Sequence, residues 1–161
     1  MKKRCSGILM PVSSLPGGYG IGSMGQAARD FVDFLVLAGQ SVWQILPVGP
    51  TSYGDSPYQS FSAFAGNPYF IDLDMLKEEE LLTQEEIDAC FWLDKQEEVK
   101  YDAVFYYRFP LLKKAYTRSL HKTTEAYRQF CEKNQFWLPD YSLYMALKKH
   151  FGDDEWLAWE E

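Results

Sequence analysis

The chain has 161 residues, of which 47% are hydrophobic, 24% charged and 17% aromatic, a composition that excludes intrinsic disorder. Sixteen Lys and Arg against 23 Asp and Glu leave a net charge of −7, so there is no basic footprint for a phosphate backbone and no nucleic-acid partner is expected. No apolar run approaches the ~18 residues of a membrane span. Ile8-Leu9-Met10, behind Met1-Lys2-Lys3-Arg4, is cut at Pro11 and is too short for a signal peptide, so a cytoplasmic protein without a membrane partner is expected. Cys5, Cys90 and Cys131 are odd in number and widely spaced, which suggests neither a disulfide framework nor a zinc site.

Ten of the 11 glycines lie before residue 67 and six of the eight prolines before residue 69, so the first part reads as loop-rich and the remainder as helical. Residues 6–12 read as a short strand, followed by a Gly-rich loop. Residues 26–38 follow, with apolar positions at Ala28, Phe31, Val32, Leu35 and Ala38, which is helical spacing. Ser23 is a candidate N-cap for that helix and Gly39 a candidate C′ residue. Residues 41–46 read as a second strand ended by Pro47, so the unit is β-α-β. Its right-handed crossover places the loops 13–25 and 47–68 at the C-terminal edge of a parallel pair, where ligands bind. Residues 69–73 read as a further short extended piece. In the second part, Thr83-x-x-Glu86 forms a capping box for a helix to about residue 91. An apolar-aromatic helix is expected over 102–120 with a kink at Pro110, then helices over 124–133 and 141–151. Trp156 and Trp159 close the chain with large rings that need a partner surface.

Gly20-Ile-Gly22-Ser-Met-Gly25 has the letters of a dinucleotide-binding loop, G-x-G-x-x-G, between a strand and a helix. The segment from Val12 to Gly20 is too long for that motif's tight first turn, and the end of the second strand carries no acidic residue for a ribose hydroxyl. Glycines that permit a tightly folded loop are the preferred reading, and no cofactor is expected. The loop from Val48 to Tyr69 carries more chemistry. It gathers hydroxyls, amides, one carboxylate and several rings, and it is too long for a mere connector. Rings for apolar C–H faces and short polar groups for hydroxyls are what a sugar requires. Asp72 and Asp74 have no third ligand or histidine to make a metal site, so they read as solvated or capping residues. His121 and His150 accompany no motif nucleophile.

The strings Ser6-Gly-Ile-Leu-Met-Pro-Val-Ser-Ser-Leu-Pro-Gly-Gly-Tyr-Gly-Ile-Gly22, Trp43-Gln-Ile-Leu-Pro-Val-Gly-Pro-Thr51 and Tyr53-Gly-Asp-Ser-Pro-Tyr-Gln-Ser-Phe-Ser-Ala-Phe-Ala-Gly-Asn-Pro-Tyr69 resemble the start of the 4-alpha-glucanotransferases, the amylomaltase family. The resemblance is dense from about residue 6 to 76 and weaker beyond. It implies an α/β fold in which residues 1–76 are the first β-α-β portion of a (β/α)8 TIM barrel and residues 77–161 a helical insertion subdomain. The barrel is incomplete in this chain. It implies that Tyr58 packs on the sugar beside the cleaved bond, that Ser56 and Asp55 belong to the same substrate loop, and that Tyr53 lies on a glucan-contacting surface. Asp55, Ser56 and Gln59 are read either as direct sugar ligands or as braces of the loop. Maltooligosaccharides or other alpha-1,4-glucans are the implied partners. The implied chemistry is a retaining double displacement by two carboxyls on later barrel strands, so no catalytic residue is assigned in this chain, which is expected to be inactive alone; the alternative is a non-catalytic glucan-binding module that uses Tyr53, Tyr58 and the surrounding loop. Two strands cannot close a barrel, and their open edges invite self-association.

Overall fold

Strands β1 (Gly7–Leu9) and β2 (Val42–Gln44) pair in parallel, with Gly7 opposite Val42, Ile8 opposite Trp43 and Leu9 opposite Gln44. The computed structural model describes residues 4–52, 54–92 and 98–159. Ser41 N–H donating to Ser6 and Met10 N–H donating to Gln44 extend the ladder by one bond at each end. The strands are shorter than the apolar pattern suggests. Pro11 has no N–H to continue the ladder, and the chain turns at once into a 3-10 turn, Val12–Ser14.

The crossover is α1 (Gln26–Leu37), which lays Phe31 edge-on against Trp43 at 5.1 Å and buries Ala28 with Val12 and Leu15. Its C-terminus follows the expected chemistry. Gly39, at φ 68°, donates to Val36 and Gln40 donates to Leu35, the paired bonds of a Schellman motif. The expected N-cap does not form. Gly25 occupies that position without a side-chain bond, and the Ser23 hydroxyl instead donates to the Asp72 carboxylate.

The expected extended piece at 69–73 is replaced by two capped turns. The Asn67 side chain accepts from Tyr69 N–H and holds a 3-10 turn, Pro68–Phe70, and Asp72 accepts from Met75 N–H to open α2 (Leu73–Glu78). Short polar side chains that bond the backbone two or three residues ahead win over extended pairing here. Asp72 therefore has the capping role. Thr83 and Glu86 form the capping box of α3 (Gln84–Asp88), and α4 (Tyr101–Arg118) follows. Pro110 does not interrupt α4. It lies on the exposed side, where water can take the carbonyl it frees, while Val104, Arg108, Leu111 and Ala115 make the buried stripe. Leu73, Leu82, Ile87, Leu111 and Ala115 form one core cluster, and Ile21, Tyr69 and Val104 another.

The chain divides into two compact units, Met1–Ser119 and Leu120–Glu161. The first unit extends past the compositional change near residue 76 because α2, α3 and α4 share its core. In the second, α5 (Glu125–Lys133) is capped by Thr124 and α6 (Leu138–His150) begins with Pro139 in its first turn. Trp159 stacks on Phe151 at 5.2 Å, whereas Trp156 is exposed, and none of the unit's described residues is buried.

Glu86 ties α3 to α4 by accepting from Arg118 at 2.6 and 2.8 Å and from Lys114 at 3.2 Å. The Arg118 guanidinium, the Thr83 N–H and Lys114 hold its carboxyl down at about 2, against 4.5 for a free glutamate. A lowered folded pKa stabilises above the unfolded value, and the contribution fades as pH falls through the folded one. Stability of the parent is therefore expected to fall between about pH 4.5 and 2 more steeply than that of Glu86→Gln. Thermal melts across this interval check it, and parallel curves for the two proteins would refute it.

Candidate functional site

The loops after β1 and β2 leave the same, C-terminal, edge of the parallel pair, and the second holds most of the candidate residues. It is closed at its base by Asn67 N–H donating to Val48 at 2.8 Å. It is closed again by an antiparallel bridge between Thr51 and Ser60 and by Ser52 N–H donating to Gln59 at 3.1 Å. Inside it Asp55 takes φ 53°, a left-handed conformation that aspartate tolerates. The Asp55 carboxylate accepts from the Thr51 hydroxyl at 3.1 Å. Farther along, the Ser60 and Ser62 hydroxyls bond the loop's own backbone, Ser62 accepting from Phe64 and Ala65. The polar side chains thus hold a rigid scaffold for the rings.

Tyr58 is 73% exposed on this scaffold, its ring free to take an apolar face. Ser56 accepts from Tyr58 N–H at 3.4 Å, a weak brace, and Asp55 is braced by Thr51. Gln59 is exposed. The structure therefore brings Asp55, Ser56, Tyr58 and Gln59 into one turn, and Tyr53 lies outside the described residues. An open groove of about 470 Å³ beside the turn is lined by Val48, Gly49, Tyr58, Ser60, Ser62 and Phe64.

Sequence reasoning missed the aromatic contacts at the exit of this loop. Tyr101, at the start of α4, sets its ring 6.0 Å from Tyr69, and Tyr69 meets Phe109 edge-on at 5.8 Å. Burial pushes the Tyr69 phenol up to about 12, with Asp55 and Tyr101 adding to the shift. Burial also raises the Asp55 carboxyl, against the bond from Thr51 and aided by the charge of Asp102. The only signal for Tyr101 is its place at the head of an aromatic helix, which does not say what the helix packs on. Among the described residues no group of three or more His, Cys, Asp or Glu is placed to hold a metal ion.

The glycine-rich loop is built for close packing. A Cβ on Gly22 would collide with the backbone of Val12 and Leu15, so glycine is required there by the chain's own backbone, independently of any phosphate.

The sequence profile of a family described as 4-alpha-glucanotransferase matches residues 10–161. The chain is 52% identical to a 4-alpha-glucanotransferase of Streptococcus pneumoniae over 162 residues, covering 100% of this chain and 32% of that protein. It is 51% identical to one of Clostridium butyricum, covering 94% of this chain and 31% of the relative. The structure is similar to an amylomaltase from Streptococcus agalactiae solved in complex with acarbose, with a TM-score of 0.89, 41% identity, and coverage of 99% of this chain and 32% of that one. The chain thus spans about a third of the length of these relatives.

Proposed function

The chain belongs to the 4-alpha-glucanotransferase family, and from that premise we propose that it is part of an enzyme moving alpha-1,4-glucan segments between maltooligosaccharides. Its α/β fold, two parallel strands within a mostly helical chain, is read as the opening β-α-β of a (β/α)8 barrel over residues 1–76, with residues 77–161 as a helical insertion beside the substrate groove. Both loops then belong to the barrel's C-terminal face, where barrel enzymes place their sites. Leu9, Val42 and Ile45, exposed on or beside the strand pair, are the surface that further strands would cover, and in the chain alone they favour self-association. No helix among the described residues is long and apolar enough to cross a membrane.

The observation that carries this reading is the Tyr58 turn: an exposed ring on a loop braced by its own hydroxyls, at the ligand-binding edge of a parallel pair. The ring stacks on a pyranose, Asp55 and Ser56 hold the turn, and Gln59 is the polar group left to meet a sugar hydroxyl. The reaction is a retaining double displacement whose nucleophile and acid/base lie about 5 to 5.5 Å apart. Those carboxyls are assigned to barrel strands beyond the two present here.

Tyr58→Ala in the reading frame extended to the length of the relatives tests this. Loss of a stacked ring is expected to weaken maltooligosaccharide binding about tenfold, with Tyr58→Phe near the parent. The melt is expected not to change, because the ring supports nothing beneath it. Titration calorimetry with maltohexaose reads the effect, and equal affinities for Tyr58→Ala and the parent would sink the assignment.

A further inference from the structure

Arg108 is completely buried in the middle of α4. Burying a cation is costly unless hydrogen bonds return what water supplied, and an apolar side chain of similar volume fills such a position without that cost. Its guanidinium donates from Nη1 to the Tyr19 carbonyl at 3.4 Å and from Nη2 to the Ile71 carbonyl, and Nε has no hydrogen-bond partner. Burial lowers its pKa to about 10, opposed by the charges of Asp72 and Tyr19.

The two carbonyls belong to different loops. Tyr19 is in the loop after β1, and Ile71 sits at the exit of the loop after β2. Three more bonds cross the same seam: Met24 N–H donates to Phe70 at 3.0 Å, the Ser23 hydroxyl donates to Asp72, and the Tyr19 hydroxyl donates to Asp74 at 2.8 Å. Arg108 reaches the seam from α4 and hydrogen-bonds both sides at once, beside the packing of Val104 with Ile21 and Tyr69.

We propose that Arg108 is a positioning residue for glucan transfer, its guanidinium fixing the spacing of the two loops that present their surfaces to the sugar. The proposal rests on the reading of this chain as part of a glucan-transferring enzyme. Arg108 has no exposed surface and acts through the loops. A two-loop clamp sets where the substrate lies, and small misplacements far from the chemistry carry large kinetic costs.

The test compares Arg108→Met and Arg108→Lys with the parent in the extended reading frame, with maltotriose as substrate. Arg108→Met is expected to raise KM about tenfold while kcat changes by less than about threefold, in protein that circular dichroism shows to be folded. Arg108→Lys falls between, because one ammonium replaces a fork that spans two carbonyls. Amide exchange is expected to quicken at residues 17–24 and 70–73 in both variants. Unchanged KM in folded protein, or a loss of kcat that only follows the folded fraction, overturns the proposal. If Arg108→Met does not fold, Arg108→Lys decides by the same criteria. Absence of transfer by the parent sinks the family-based reading instead, and unchanged exchange at 17–24 and 70–73 in Arg108→Lys then overturns the clamp as well.

Discussion

Maltotriose incubated with the 161-residue chain is expected to remain maltotriose, whereas the reading frame extended to the length of the relatives is expected to release glucose and build longer maltooligosaccharides. Retaining transfer needs one ionised carboxylate as nucleophile and a second carboxyl that first gives and then takes a proton. Three carboxylates on or beside the two loops, Asp55, Asp72 and Asp74, already have other partners. Asp72 caps α2 and accepts from Ser23, and Asp74 is held below its usual range by Lys77 and Tyr19. Asp55 braces its own loop through Thr51, and Asp102 sits exposed in the first turn of α4. Without a nucleophile and acid/base pair the rate is expected to fall at least ~10⁴-fold below that of the extended protein. Chromatography of the sugars over time checks this. Turnover by the 161-residue chain, abolished in Asp55→Asn or Asp102→Asn, would place the catalytic pair among these residues and overturn the assignment to later strands.

Leu73→Ala is expected to give the largest loss of stability. Leu73 is completely buried at the first position of α2, packed with Leu82, Ile87, Leu111 and Ala115, while Tyr19 reaches the same cluster from the loop after β1. Truncating a buried leucine removes its transfer energy and leaves a cavity, together about 2 to 5 kcal/mol. For a unit of this size that lowers the melting temperature on the order of 10 °C. Because the cluster joins α2, α3 and α4 to the loop that carries Tyr19, amide exchange is expected to quicken at Ile87 and Leu111 together. A shift of less than about 2 °C in the 161-residue chain would show that the cavity collapses and that the cluster does not hold the unit.

Much of the local structure was legible because its causes lie within a few residues. Gly39 ends α1 where the apolar period stops, and Thr83 with Glu86 opens α3 through reciprocal bonds three positions apart. The same reasoning misplaced Ser23. The Ser23 hydroxyl found a partner 49 positions away, which no capping rule anticipates. At Pro110 the local rule warns of a break, and the helix runs on to Arg118 because that face is exposed. Of the candidate site, the ring and hydroxyl chemistry of the loop from Val48 to Tyr69 could be read directly. Which of its polar groups brace and which face outward could not, because Asp55 with Thr51 and Ser56 with Tyr58 depend on the closed geometry of the loop.

By itself the sequence determined the β-α-β order, the mixture of rings and hydroxyls in the loop after β2 and the family, since each is carried by short strings and by period. The tertiary structure alone decided that Arg108 joins two loops 89 and 37 positions distant and that Tyr101 backs Tyr69. It also decided that Asp72 serves a cap and a neighbouring loop at once. The physical reason is common to all three. Burial and long-range hydrogen bonding depend on which surfaces meet, and a linear pattern of residues states which surfaces are apolar without stating their partners.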